Sequence, residues 1–417
     1  MAARPRRRLR CLAGGIGVVA LTLAACGGGA GDSGGGSSTI ELAFLAPLSG
    51  PLAQVGVDMR NGAQTAVREI NASGGVNGAK LELQVYNDQL DPTAGTRAAR
   101  DAVSAGQQIV VGILSSSVCL AVAPVVDKLG GVLVGTTCSA DQLVGPDRPA
   151  ENFFGVTAHN AQMVSAGAQI MSKEEKGLTT VDVFGYDYIV GHELYDGFRE
   201  QMQRRGVPLA EEQQQWVPLT SVDYRPQVAA MARNLPKSHY PDRVLWLSTY
   251  GAGTTTFLQQ SASSRLTSKY GVIMTSGGYA PGAWELNGTA PEVWDVYDYE
   301  YQATKNPAND SFVSSYQKVS GGRPPTAWSW ENYVGIKFVA EAIKKAGDSD
   351  PQNVAKALEG LRVDTPSGPA TMDPAAHLAK HNVVVFKSVG DKSAPQGLKV
   401  TKYYQVSYDG KIVESDP

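Results

Sequence analysis

From Ile40 onward, short aliphatic runs alternate with amphipathic helical patterns, and near residue 160 the whole alternation starts again. Strands that read as near-continuous apolar runs have to be covered by helices on both faces, and the solution is a parallel, doubly wound α/β sheet. The first series opens with an expected strand over Ile40–Ala46, closed by Pro47-Leu48-Ser49-Gly50-Pro51. A helix should follow, since Met59, Ala63, Ala66, Val67 and Ile70 share one face and Arg60, Gln64, Arg68 and Glu69 the other. Asn71-Ala72-Ser73-Gly74-Gly75-Val76-Asn77-Gly78 stops it. Strands are then expected over Leu81–Tyr86, Ile109–Leu114 and Leu133–Thr137, with a helix over Thr93–Ala105. The second series reads as helices over Ala161–Met171, Glu193–Arg205 and Thr254–Ser263 and strands over Thr180–Phe184, Arg243–Leu247 and Gly271–Thr275. Two such units facing each other make a cleft, and in open sheets ligands sit outside the carboxyl ends of the strands.

Ahead of the first strand lies an address. Arg4, Arg6, Arg7, Arg8 and Arg10 precede an apolar run from Cys11 to Ala25 that ends in Leu23-Ala24-Ala25-Cys26, a lipobox. The run falls short of the roughly 20 residues that a spanning helix needs. Residues 1–25 are therefore expected to be a lipoprotein signal peptide, with Cys26 the lipidated residue of the mature chain. Residues 26–39 would form a Gly/Ser leash spanning roughly 20 Å at about 5–6 Å × √n. The expected location is the extracytoplasmic face of the cell membrane, held by lipid, on the periplasmic or cell-wall side.

About 380 residues remain, enough for two domains of ordinary size. Of 37 basic residues, five leave with the leader, so the mature chain sets 32 against 40 acidic residues, a net of -8. That balance argues against nucleic acid. Removal of Cys11 and lipidation of Cys26 leave Cys119 and Cys138, either a disulfide pair or two separate buried thiols. Five scattered histidines offer no metal motif, and no metal or cofactor is expected. Matches to GxSxG (Gly31–Gly35) and GxGxxG (Gly29–Gly34) fall in the leash, where no strand precedes them, so neither marks an enzyme. A paired-carboxylate hydrolase is the competing enzyme class, but no spacing nominates its pair.

Several segments carry a family resemblance. Phe44-Leu45-Ala46-Pro47-Leu48-Ser49-Gly50-Pro51, Asn61-Gly62, Glu69 through Gly78, and Val111-Gly112-Ile113-Leu114-Ser115-Ser116-Ser117 resemble the branched-chain amino-acid-binding proteins of ATP-driven importers. Thr326–Ile343 and Pro366-Ser367-Gly368-Pro369 match more loosely. The resemblance implies a periplasmic binding protein of type I: two Rossmann-like lobes joined by a hinge that the chain crosses three times. The crossings are expected near Thr157–Asn160, Tyr299–Gln302 and Ala394–Lys399. One lobe would then hold residues 40–158 with 301–395, and the other 159–300 with 396–417. It also implies a monomer that captures a small carboxylate-bearing ligand, a branched-chain or other amino acid, and delivers it to ABC permease and ATPase subunits. An aromatic or aliphatic acid or an amide is the alternative ligand, and a sensory receptor on the same clamp the alternative role.

Ser115, Ser116 and Ser117 follow a buried strand and open a helix, so hydroxyls and backbone N–H groups can converge there on an anion. By resemblance, Ser116 grips a ligand carboxylate, while Thr137 and Ser139 meet its ammonium. Tyr250 would close over the ligand from the second lobe and Trp328 would wall its side chain. Two departures stand out: Gly277 occupies the place of an expected acid, and Val190 that of an expected tyrosine, with Asp187 and Tyr188 just upstream. Either Asp187 serves as the ammonium partner, or the ligand is not a plain α-amino acid, because an unpaired buried ammonium is costly.

Overall fold

The structure, a computed structural model, describes residues 38–235 and 239–415. The leader, Cys26 and the Gly/Ser stretch through residue 37 lie outside the described residues. The first series gives β1 (Thr39–Ala46), α1 (Ala53–Ala72), β2 (Lys80–Asn87), α2 (Pro92–Ser104), β3 (Ile109–Gly112), α3 (Ser116–Lys128), β4 (Val132–Gly135) and β5 (Phe153–Gly155). The second gives α4 (Asn160–Glu174), β6 (Thr180–Tyr186), α5 (Ile189–Arg204), β7 (Ala210–Val217), α6 (Arg225–Asn234), β8 (Tyr240–Ser248), α7 (Ala252–Ala262), β9 (Tyr270–Ser276), α8 (Tyr279–Trp284) and β10 (Val293–Tyr297). Then come α9 (Pro307–Ser320), α10 (Ala327–Ala346), α11 (Pro351–Leu358), β11 (Arg362–Thr365), β12 (Gly368–Asp373), β13 (Leu378–Lys380), β14 (Val383–Gly390), β15 (Leu398–Val406) and β16 (Ile412–Ser415).

Among the described residues the strands form two eight-stranded sheets, ordered β11-β12-β13-β5-β4-β3-β1-β2 and β16-β15-β14-β10-β9-β8-β6-β7. Each has a parallel centre and an antiparallel flank. Every residue of β3 and β4 is buried, as it must be in a sheet covered on both faces. Each fully buried Val, Leu or Ile there contributes about 1.5–3 kcal/mol. Helix α10 is buried along most of its length, started by a capping box in which Thr326 and Ser329 satisfy each other's backbone N–H. It lies against α1, where the Tyr333 hydroxyl donates to Glu69 Oε2 at 2.6 Å.

The chain leaves the first sheet after Gly155, returns to it after Tyr297 and leaves again after Lys380. The third crossing is the one the sequence misplaces. It falls at His381-Asn382 and not at Ala394–Lys399, because β14 pairs antiparallel with β10, from Val293↔Ser388 to Tyr297↔Val384. Residues 383–390 therefore belong to the second lobe; the Pro/Gly turn near 395 only joins β14 to β15.

The three crossings are bonded side by side. Asp298, in the second, accepts from the Thr157 hydroxyl at 2.6 Å and the Ala158 N–H at 3.1 Å, both in the first. His381, in the third, sets Nε2 3.0 Å from the Val156 carbonyl oxygen. No described helix is long and apolar enough to cross a membrane, and the described residues hold no group of three or more His, Cys, Asp or Glu suited to a metal ion.

Candidate functional site

At the end of β3 the chain turns abruptly. Ile113 is fully buried at φ 68°, a left-handed conformation that a β-branched residue rarely adopts, with its N–H on the Leu45 carbonyl at 2.7 Å. The bend delivers Ser115 as the N-cap of α3 and Ser116 as its first residue. Ser116 Oγ accepts from the backbone N–H groups of Ser139 at 3.1 Å and Ala140 at 3.2 Å, pinning the loop after β4 to the start of α3. With both lone pairs so engaged, the hydroxyl proton of Ser116 remains to be donated to an incoming acceptor. The side chains of Ser115 and Ser139 are buried and form no hydrogen bond with the described residues. Ser117 is half-buried on the same first turn. Cys119 and Cys138 join the same two segments covalently, Cα to Cα 6.3 Å. Thr137, beside Cys138, takes a 3.4 Å contact from Asn332 Nδ2 of α10.

The second lobe presents tyrosines. Tyr188 is the N-cap residue of α5, and its ring meets that of Tyr250, after β8, edge-on at 6.4 Å. Burial pushes both phenols up, Tyr188 well above its ordinary range. Between the lobes, Trp328 of α10 rests on backbone: a Cβ on Gly278 (φ 98°) would lie 2.6 Å from its ring. Gly277 (φ 101°) is equally constrained, since a Cβ there would lie 3.1 Å from the Tyr250 ring. The acid expected at 277 would thus require a strained backbone and a displaced tyrosine. Asp295 holds this loop by accepting from the Tyr279 N–H at 3.0 Å, and burial raises its pKa to about 7.

Asp187 does not join the site. Its carboxylate is exposed and sits 2.8 Å from His192 Nε2 on the surface of the second lobe, so it is no ammonium partner in this arrangement. A buried acid at the hinge was not anticipated from the sequence. Glu331, one turn beyond Trp328 on α10, is wholly buried at the hinge. Thr137 of the first lobe and Tyr297 of the second border it, while burial and the neighbouring Asp298 charge drive its pKa well up. The signal for it in the sequence is an acid set among aromatic residues, in Trp328-Ser329-Trp330-Glu331-Asn332-Tyr333.

Beside Trp328 a cavity of about 360 Å³ opens between the lobes, lined by Val55, Asp58 and Arg323 on one side and Gly251, Thr255 and Glu285 on the other. Arg323 lies 3.6 Å from buried Asp58 and 3.5 Å from Glu285, tying the lobes together. Burial raises the Asp58 carboxyl to about 6, against the opposing pull of Arg323.

Residues 39–393 match the sequence family described as periplasmic binding protein. A Leu/Ile/Val-binding protein homolog 3 of Brucella melitensis is 26% identical over 358 residues, covering 84% of this chain and 91% of that one. The leucine-, isoleucine-, valine-, threonine-, and alanine-binding protein of Pseudomonas aeruginosa is 25% identical over 378 residues, covering 84% and 90%. In fold, the chain is similar to a solute binding protein of an ABC transporter from Rhodopseudomonas palustris BisB5, solved in complex with 3,4-dihydroxy benzoic acid. The TM-score is 0.75 at 19% identity, over 91% of this chain and 98% of that one. With that sequence pattern running from the first strand into the last sheet, and two hinged α/β lobes beneath it, the chain belongs to the periplasmic binding proteins, of the type I, Leu/Ile/Val-binding-protein-like kind.

Proposed function

We propose that this protein is a lipid-anchored solute-binding protein that captures a small carboxylate-bearing ligand between its lobes and hands it to the permease of an ABC importer. Family members are transporter solute-binding proteins that work outside the cytoplasm, not enzymes. The observation that carries the ligand class is Ser116: its oxygen is filled by two N–H groups, its proton remains free to give, and it stands at the N-terminus of α3. An anion is favoured there by the helix dipole and the unpaired N–H groups of the first turn. Tyr188, Tyr250 and Trp328 supply the apolar walls. Since Cys26 lies outside the described residues, the anchor rests on the lipobox alone.

Amino acids and aromatic acids are the two ligand groups named for the relatives above, and the aromatic walls favour keeping the second beside the first. A thermal-shift screen of both groups tests the proposal, because a ligand that binds only the folded state raises its melting temperature by mass action. At least one carboxylate should raise it reproducibly; a screen in which no amino acid and no aromatic or aliphatic acid does so contradicts the proposal.

A further inference from the structure

Two acids meet in the joint between the lobes. Asp295, in β10, is 1% exposed and accepts from the N–H of Tyr279, the first residue of α8, at 3.0 Å. Glu300, in the second crossing, is 4% exposed and accepts from the Gln302 N–H at 3.0 Å. Both line one small space, walled by Pro281, Trp284 and Phe386 of the second lobe and by Pro325, Ala327 and Trp328 of the first. Its free volume is about 10 Å³, at the threshold for a single water. Among the described residues no Lys, Arg or His lines it.

A buried carboxylate needs a counter-charge, ample donors or water, and the first of these is missing here. The groups that face the pair are phenols: Tyr279 of α8 toward Asp295, and Tyr299, Tyr301 and, from β15, Tyr403 toward Glu300. Burial raises all four phenols, so they stay neutral. Burial likewise lifts both carboxyls to about 7, in Asp295 against the pull of backbone N–H groups from Gly277 to Tyr279 and from Val296, while the Asp295 charge adds to the rise at Glu300. The walls come from both lobes, and they touch: a Cβ on Gly278 would lie 2.6 Å from the Trp328 ring. Rotating the lobes apart draws the first turn of α10 away from this loop and lets water reach the two acids.

We propose that Asp295 and Glu300 make the clamp sensitive to pH: closure seals them in the joint as neutral acids, and their ionisation favours separated lobes. The closed form then holds protons that the open form, with its carboxyls in water, has given up. Closure is therefore favoured in acid and lost as pH rises toward 7, by up to about tenfold in the closed-to-open ratio per pH unit for each group. The device depends on the hinge and not on which solute is captured. Asp58 also titrates between the lobes, beside Gln54, Tyr316 and Arg323, so variants at 295 and 300 themselves have to identify the source.

Small-angle scattering on the purified, ligand-free protein at pH 5 and pH 8 tests this. Wild-type protein should have the larger radius of gyration at pH 8. The double variant Asp295→Asn/Glu300→Gln, which ionises at neither place, should keep the pH 5 value at both. Should it fail to fold, Glu300→Gln alone, which leaves the Asp295 contact with Tyr279 in place, should show a smaller change than wild type. A wild-type radius that is equal at pH 5 and pH 8 overturns the proposal, as does a full wild-type response in either folded variant. No ligand enters these measurements, so a failed carboxylate screen would contradict the solute-binding proposal and leave this one to stand or fall by itself.

Discussion

Replacing Ser116 by Ala separates what this side chain does for the fold from what it does for a ligand. Its oxygen is the sole acceptor for the Ser139 and Ala140 N–H groups, at 3.1 and 3.2 Å, and the residue is 1% exposed. Alanine leaves two buried donors unmet at about 1–3 kcal/mol each, so a loss of about 2–6 kcal/mol is expected even without ligand. For a lobe of this size that lowers the melting temperature by roughly 5–25 °C. Ser139→Ala is the contrast, since its hydroxyl bonds to nothing in the described protein; its stability should stay within about 0.5 kcal/mol of wild type. Both variants should weaken ligand by about ten- to hundredfold. Urea and thermal unfolding of the ligand-free proteins decide it. A Ser116→Ala protein that melts with wild type, or a Ser139→Ala protein that falls as far, refutes the hydrogen-bond assignment at this corner.

Opening the Cys119–Cys138 link, at a separation of 19 residues, should cost about 3 kcal/mol in the chain-entropy model; two free thiols by mass spectrometry on exported, unreduced protein would remove its basis. Burial raises Asp58 and Asp88 to about 6 and Asp295 and Glu300 to about 7. Between pH 4 and 7 the native state thus keeps protons that the unfolded chain has lost, and stability should fall as pH rises through this window, by at most about 1.4 kcal/mol per unit for each group. Asp295→Asn should flatten part of that slope; equal urea midpoints at pH 5 and 7 contradict it. Cys26→Ser should release the protein from membranes, since lipid is its proposed anchor; a variant that still sediments with membranes after a high-salt wash argues against the lipobox.

The two α/β series were legible because parallel strands covered on both faces read as apolar runs, as in Ile109–Gly112 and Val132–Gly135. The polar edge strand β7, AEEQQQWV, has no such signature. Neither does the third crossing: only His381 and Asn382 separate β13 from β14, whereas the stronger turn signal at Pro395 and Gly397 lies inside the second lobe. The serines could be found because Val111 to Ser117 resembles the family; a hydroxyl run at a strand end by itself fits a capped turn equally well, and Ser115 is indeed the N-cap of α3. Asp187 could not be placed, since its direction depends on His192 one turn into the next helix. Glu331 was missed for the opposite reason, as charge in a sequence suggests surface and only packing of α10 at the hinge reveals burial.

Capture between hinged lobes is tested most directly by small-angle scattering on ligand-free protein and on protein saturated with the carboxylate that gives the largest melting shift. A ligand touching both lobes stabilises the closed form by its differential affinity, so the radius of gyration should fall on saturation, and fall less in Tyr250→Ala, which lacks a second-lobe wall. An identical scattering profile with and without a ligand bound at saturation would contradict capture by closure.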